Sequence, residues 1–256
     1  MRTGILTKFA YLKATYFSIV ATLVSIIVYY FLWKIVFIEN GQTDDYTVSE
    51  MTTYVILARI LSSQFSEGIN SEYAKWIYEG KISIELLRPV SLVEILFAKR
   101  IGEFGFFIVF KGIPIFLITY IFLGGVGLAG GGEGILFLVS IIHSLIILFW
   151  FEFIVGTCSF YTMNYHGLRL TKNAILSLLS GGIIPLYLFP EAIYKLCNWL
   201  PFASMVSVPV NIYLGKYSYT EAVGLIIWQI FWVIILYMLA TRFYKQAIKK
   251  ITIQGG

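Results

Sequence analysis

Residues 134–151 read GILFLVSIIHSLIILFWF, with no Asp, Glu, Lys or Arg among them. A helix needs about 20 predominantly apolar residues to cross a bilayer, and four further runs free of those residue types stand at 17–33, 112–132, 173–190 and 222–241. A sixth run, 48–65, carries Glu50 and Arg59 near its ends, where long side chains reach the interface. Met51, Tyr54, Val55, Leu57, Ile60 and Leu61 keep it apolar. The chain has 256 residues, 59% hydrophobic and 13% charged, where soluble domains have roughly 45–50% and about 25%. With a mean hydropathy of +0.82, disordered, fibrous and nucleic-acid-binding classes are excluded, because one soluble domain of this size could not hide so much apolar surface. The sequence predicts an all-α integral membrane protein in a single transmembrane domain, 1–256, with six transmembrane helices at about 17–38, 48–65, 103–123, 134–158, 172–190 and 220–242.

Helix starts agree with this division. Thr47 and Glu50 have capping-box spacing before the second span, and Ser218 and Glu221 have it before the sixth. Tyr29, Tyr30, Phe31 and Trp33 crowd one end of the first span, as amphipathic rings do at headgroup level. Fourteen Lys and Arg fall on one side, in the segments Arg2 to Lys13, Lys75 to Arg100, Arg169 to Lys172 and Arg242 to Lys250, against Lys195 and Lys216 alone on the other. The positive-inside rule then places both termini in the cytoplasm of a plasma-membrane protein. The formal charge of +5 reports topology and no nucleic-acid partner. The first apolar run is too long for a signal-peptide core and is expected to stay as an anchor. Cys158 and Cys197 fall on opposite sides, so neither a disulfide nor a metal site is expected.

Three segments are not simple spans. Ile5, Phe9, Leu12 and Tyr16 recur at helical spacing with Lys8 and Lys13 between them, which suits an N-terminal interfacial helix on anionic lipid; the alternative is a basic flanking tail. In the cytoplasmic connection 66–102, Ile69, Tyr73, Trp76 and Ile77 share one helical face and Glu72, Lys75 and Glu79 the other, bracketed by Gly68 and Gly80. Arg88 and Pro89 break the chain, and Val90, Ser91, Glu94 and Ile95 supply a hydrophobic staple and capping box for the next helix. Two short helices meeting at a proline make a docking surface, or else both lie in the lipid interface. Outside, Pro185, Pro190, Pro201 and Pro209 punctuate apolar pieces too short to span. Irregular backbone at membrane depth survives only against protein or water, so a re-entrant segment between spans five and six, packed as an external lid, competes with a surface hairpin.

Chemistry is sparse. No G-x-x-x-x-G-K-[ST] phosphate loop occurs, and the stretch Gly124 to Gly134 lacks the Lys and hydroxyl that would make it one, so it reads as an external turn. His143 and Glu152 stand nine residues apart in the fourth span, too far along a helix to act together. Arg59, Lys111 and Glu152 fall at a similar depth, so Lys111 or Arg59 pairing with Glu152 forms a candidate intramembrane charge cluster, open to a structural or a proton-coupled role. Pro114, just beyond Lys111, is expected to kink the third span.

The stretches Gly80 to Val90, Pro185 to Pro190, and Leu200-Pro201-Phe202 followed by Pro209 to Gly215, in this order along six spans, resemble the ABC-2 type membrane subunit of ATP-binding-cassette exporters. The resemblance implies that the helix from Ile69 to Glu79 is a coupling helix seated in a cytoplasmic ATPase subunit, with Asn70, Glu72, Lys75 and Glu79 as exposed contacts. It implies ATP and Mg²⁺ on that partner and none on this chain. It further implies a second copy or a paralogue of this subunit, a path between the two for export, and an external gate at Pro185, Pro190, Pro201, Phe202 and Pro209. The competing reading is a stand-alone ion-coupled transporter acting through Arg59, Lys111, Glu152 and His143, against which the interruption at Gly181, Gly182 and Pro185 has no counterpart in the first half.

Overall fold

The computed structural model describes residues 12–40, 46–123, 131–162 and 165–250, and among them the secondary structure is helical apart from an isolated β-bridge residue, Tyr46. The expected interfacial helix falls largely outside the described residues, as does the 124–130 part of the turn expected at Gly124 to Gly134. The helices are α1 Leu12–Asn40, α2 Val48–Ser62, α3 Ile69–Tyr78, α4 Ile82–Leu86, α5 Leu92–Phe107, α6 Ile113–Leu123, α7 Gly131–Thr157, α8 Ser159–Thr162, α9 Tyr165–Leu179, α10 Glu191–Trp199, α11 Ser207–Tyr213 and α12 Tyr219–Ala247.

Local chemistry sets the helix starts. Thr47 and Glu50 form a reciprocal capping box at α2, Ser91 and Glu94 at α5, and Ser218 and Glu221 at α12, each satisfying backbone donors that a first turn leaves unpaired. Gly80, with φ +72°, ends the α3 turn in the left-handed region that an L side chain disfavours.

Four helical stretches are long and apolar enough to cross a bilayer: Lys13–Val36, Leu92–Leu123, Gly132–Thr162 and Tyr219–Ala247. The expected spans at 48–65 and 172–190 are built differently. Helix α2 has 15 residues, about 22 Å at 1.5 Å per residue, against a hydrocarbon core of about 30 Å; it continues as a 3₁₀ turn over Ser63–Glu67. Helix α9 begins at Tyr165, upstream of the expected start, and stops at Leu179 before Gly181, whose φ is +81°. The helix expected to start at Ser91 and lead into the third span is present as α5, which begins at its Ser91 cap.

Helix α2 sits at the centre of the fold, with Met51 to Ala58 all buried. Thr52 and Thr53 tolerate that position by donating to the carbonyls of Val48 and Ser49 at 2.8 and 2.9 Å. Between α5 and α6 the turn Ile108–Gly112 is π-helical. Pro114 supplies no N–H and crowds the preceding turn, a recognised cause of such irregularity.

Beyond α9 the chain turns back in short pieces. Pro185 opens a 3₁₀ turn at Leu186–Leu188, Pro190 caps α10, and Pro201 and Phe202 lead into a second turn at Ala203–Met205. Every residue of α11, Pro209 included, is buried. The pieces are fastened by polar stitches: Tyr54 donates to the Gly181 carbonyl at 2.9 Å, and Tyr46 to Asn211 Oδ1 at 2.6 Å. Gln229 of α12, fully buried, donates to Ser140 Oγ and to the Ser204 carbonyl, both at 2.9 Å.

Candidate functional site

Helix α3 lies across one end of α7, held there by a charge. Glu152, in the penultimate turns of α7 and 0% exposed, accepts from the Ile69 backbone N–H at 3.3 Å. A carboxylate at this place satisfies an orphan donor of α3 and faces the positive end of its dipole. The same carboxylate lies 3.2 Å from Lys172 Nζ of α9 and 3.8 Å from Arg100 Nε of α5, and Arg100 and Lys172 are both 1% exposed. Lys172 completes its coordination by donating to the Phe65 carbonyl at 2.6 Å and to Asn70 Oδ1 at 3.0 Å. Arg100 also reaches Glu103 at 3.9 Å. One anion thus gathers α3, α5, α7 and α9; the hydrogen bonds to Ile69 and Lys172 and the charge of Arg100 offset its burial, while Arg100 Nε and Nη2 make no hydrogen bond among the described residues.

Close packing continues the attachment. A Cβ on Gly68 would stand 1.9 Å from Glu152 Oε1, and one on Gly156 would stand 2.5 Å from the Tyr73 ring. Both glycines are therefore required by close approach. Tyr73 stacks on Phe153, with centroids 5.2 Å apart and planes at 15°, and its hydroxyl oxygen accepts from Thr157 Oγ1 at 3.4 Å. Burial pushes the Tyr73 hydroxyl well above the ordinary tyrosine range, so it is neutral throughout physiological pH.

The expected docking residues divide into two groups. Ile69, Asn70 and Tyr73 are buried against the chain's own bundle, and Trp76 and Ile77 are partly buried on the same core. Asn70 is a correction: expected as an exposed contact, it is 2% exposed and engaged with Lys172. Glu72 is half-buried and paired with Lys99 of α5. Lys75 and Glu79 face outward and pair with each other at 3.6 Å; Lys81 lies 2.6 Å from Glu79, and its hydrogen bond holds that carboxyl below the usual range. Around them is an apolar tip with Tyr78 60%, Ile84 64% and Leu87 85% exposed, beside the exposed Arg88 and Pro89.

The intramembrane cluster is corrected as well. Glu152 pairs with Arg100 and Lys172, two residues that sequence reasoning had placed among the topological charges, and not with Arg59 or Lys111. The guanidinium of Arg59 lies over the Tyr29 ring at 4.8 Å, and Lys111 donates to Ser18 Oγ at 2.7 Å. Only the chain tracing could bring Lys172 beneath α3, but Gly68 directly before an amphipathic helix was a legible sign of close approach. His143 makes a local contact, 2.8 Å from the Val139 carbonyl within its own helix.

At the opposite end of the fold, a cavity of about 480 Å³ has a wall that includes Tyr46, Tyr187, Tyr194, Asn211 and Tyr217; none of the expected gate prolines is among its lining residues. Phe202 packs edge-on to Phe151 at 5.3 Å, joining this region to α7.

No curated protein matches the chain. The family model described as ABC-2 family transporter protein matches residues 23–255, which takes in α2 to α12 and therefore both ends of the Glu152 site. An all-helical membrane domain and a match over nearly its full length together establish that the chain belongs to the ABC-2 family of transporter proteins, as a membrane-spanning permease.

Proposed function

We propose that this chain is the permease half of an ATP-driven exporter, working as a pair of membrane subunits with a separate cytoplasmic ATPase. The observation that carries this reading is the seat of α3. A helix that only rested on lipid would need no buried carboxylate, lysine and arginine beneath its first turn. A helix that transmits force to α5, α7 and α9 needs such a joint, because a rigid-body transition requires the moving element to be fixed to what it moves. In this reading the partner takes hold of the outward side of α3 and α4, at Lys75, Tyr78, Glu79, Ile84, Leu87 and Arg88.

In this reading the chain crosses six times, with the short α2, extended by the Ser63–Glu67 turn, and the short α9 as the second and fifth crossings, both termini cytoplasmic, and the plasma membrane as the location. ATP and Mg²⁺ bind the partner. The second membrane subunit is a further copy or a paralogue, and α1, which exposes Phe17, Val24 and Phe31, faces lipid or that subunit. The pieces between α9 and α12 close the outer end of the path.

Affinity purification of the tagged chain from its native membrane in mild detergent, with mass spectrometry of what remains bound, tests the reading. A soluble protein carrying a phosphate-binding loop, present in stoichiometric amount, is the expected companion. A chain that purifies alone and still transports down an ion gradient overturns it.

A further inference from the structure

The turn between α10 and α11 is gripped by side chains from two long helices. Ser144 of α7 donates to the Ser204 carbonyl at 2.6 Å, and Gln229 of α12 donates to the same oxygen at 2.9 Å, so both of its lone pairs are engaged. The second amide hydrogen of Gln229 goes to Ser140 Oγ at 2.9 Å, which ties α12 to α7 at the level of the turn. On the same face of α12, Trp232 Nε1 donates to the Trp199 carbonyl at 3.2 Å, and the two indole rings meet edge-on. Ser140, Ser144, Ser204 and Gln229 are all buried.

Depth gives these bonds their meaning. At 1.5 Å per residue, Ser144 lies about 20 Å along α7 from Gly131, and Gln229 about 15 Å along α12 from Tyr219. Both distances fall near the middle of a hydrocarbon core about 30 Å thick. A carbonyl outside a regular helix at that depth needs a donor from protein or water, and Ser144, Gln229 and Trp232 supply them. Helix α7 also carries Glu152, about 12 Å beyond Ser144, and Phe151, on which Phe202 of the turn packs. The helix that seats α3 is therefore one of the two that hold the turn. We propose that Ser144 and Gln229 are positioning residues that latch the turn from Phe202 to Met205 at mid-depth, so that the segment opens only when α7 and α12 release the Ser204 carbonyl. As a fastening of the turn the latch stands by itself; as the gate of an export path it rests on the permease reading.

A native thiol reports the state of the latch. Cys197 of α10 is 0% exposed and packs with Leu186 and with Ala203 of the turn, so a turn that leaves its seat uncovers it. Cys158→Ser leaves Cys197 as the single cysteine of the chain. The test is the rate at which N-ethylmaleimide labels Cys197 in the purified full chain in dodecyl maltoside, followed by intact-protein mass spectrometry. Gln229→Leu, which keeps the bulk and loses both donors, should raise the rate about tenfold, and Ser144→Ala about fivefold. Leu236→Ala truncates another buried side chain of α12; it should lower the unfolding temperature and leave the labelling rate unchanged. An unchanged rate in the Ser144→Ala, Gln229→Leu double variant, or an equal rise in Leu236→Ala, overturns the proposal. Absence of a co-purifying ATPase would remove the permease reading and leave the labelling result standing.

Discussion

Lys172 Nζ lies 3.2 Å from Glu152 Oε1 with both side chains wholly buried, and the pair joins α9 to α7 directly beneath the first turn of α3. Such a pair adds little net stability over a hydrophobic replacement, since desolvation offsets the attraction, but breaking it leaves a buried charge without its counter-ion. Its value here is positional. It lets a ten-residue helix, too short to be stable alone, hold a fixed attitude on the membrane domain.

Glu152→Gln should therefore destabilise the purified chain by roughly 3–5 kcal/mol, the range for an orphaned buried partner, read as a drop in thermal unfolding temperature in detergent. Adding Lys172→Met should recover part of the loss. Equal stability of Glu152→Gln and wild type would show that the carboxylate is not what seats α3.

Glycine substitutions separate close approach from helix propensity. Gly68→Ala drives a methyl group into the Glu152 carboxylate and should cost about 1–3 kcal/mol, as overpacking does. Gly105→Ala, in the helical stretch of α5 with nothing within 4 Å of its new Cβ, should gain roughly 0.5–1 kcal/mol. Denaturation of the two variants side by side gives opposite signs if the packing at α3 is as described.

Tyr73 tests the packing half of the seat. Tyr73→Ala should cost about 3–5 kcal/mol as a large buried aromatic, and Tyr73→Phe, which keeps the stack on Phe153 and loses only the Thr157 contact, about 0.5–1.5 kcal/mol. A Phe variant as unstable as the Ala variant would assign the work to the hydroxyl instead.

The end of the fold opposite α3 carries a pH signature. Burial, with Tyr194 nearby, pushes the Tyr217 hydroxyl up to about 12, from an ordinary value near 10. Because the folded value is the higher one, the stabilisation is complete below about pH 10 and is lost as pH rises toward about 12. Tyr217→Phe should flatten the loss of stability across that window, measured by thermal unfolding at a series of alkaline pH values.

Much of this architecture was legible along the chain. The three capping boxes stand where Thr47, Ser91 and Ser218 announce them, because a cap is a local arrangement of four residues. Gly68 and Gly80 bracket α3 for the same reason. The apolar face of Ile69, Tyr73, Trp76 and Ile77 was visible as a face, but periodicity does not say what covers it; the chain's own α7 does, through Phe153, Gly156 and Thr157. Charge pairing was least legible. Depth along the spans grouped Glu152 with Arg59 and Lys111, whereas rotation about the helix axes and the early start of α9 give it Lys172 and Arg100. Helix ends set by tertiary packing, such as Leu179 before Gly181, likewise leave no mark in hydropathy.

We propose that force from a partner ATPase enters the membrane domain through the outward tip of α3 and α4. The most direct measurement is nucleotide-driven transport and ATP hydrolysis by the reconstituted complex carrying Ile84→Asp with Leu87→Asp, two side chains 64% and 85% exposed. The variant chain should keep its unfolding temperature and lose ATPase association and transport at least tenfold. Full transport by that variant, with the complex intact, would contradict the account.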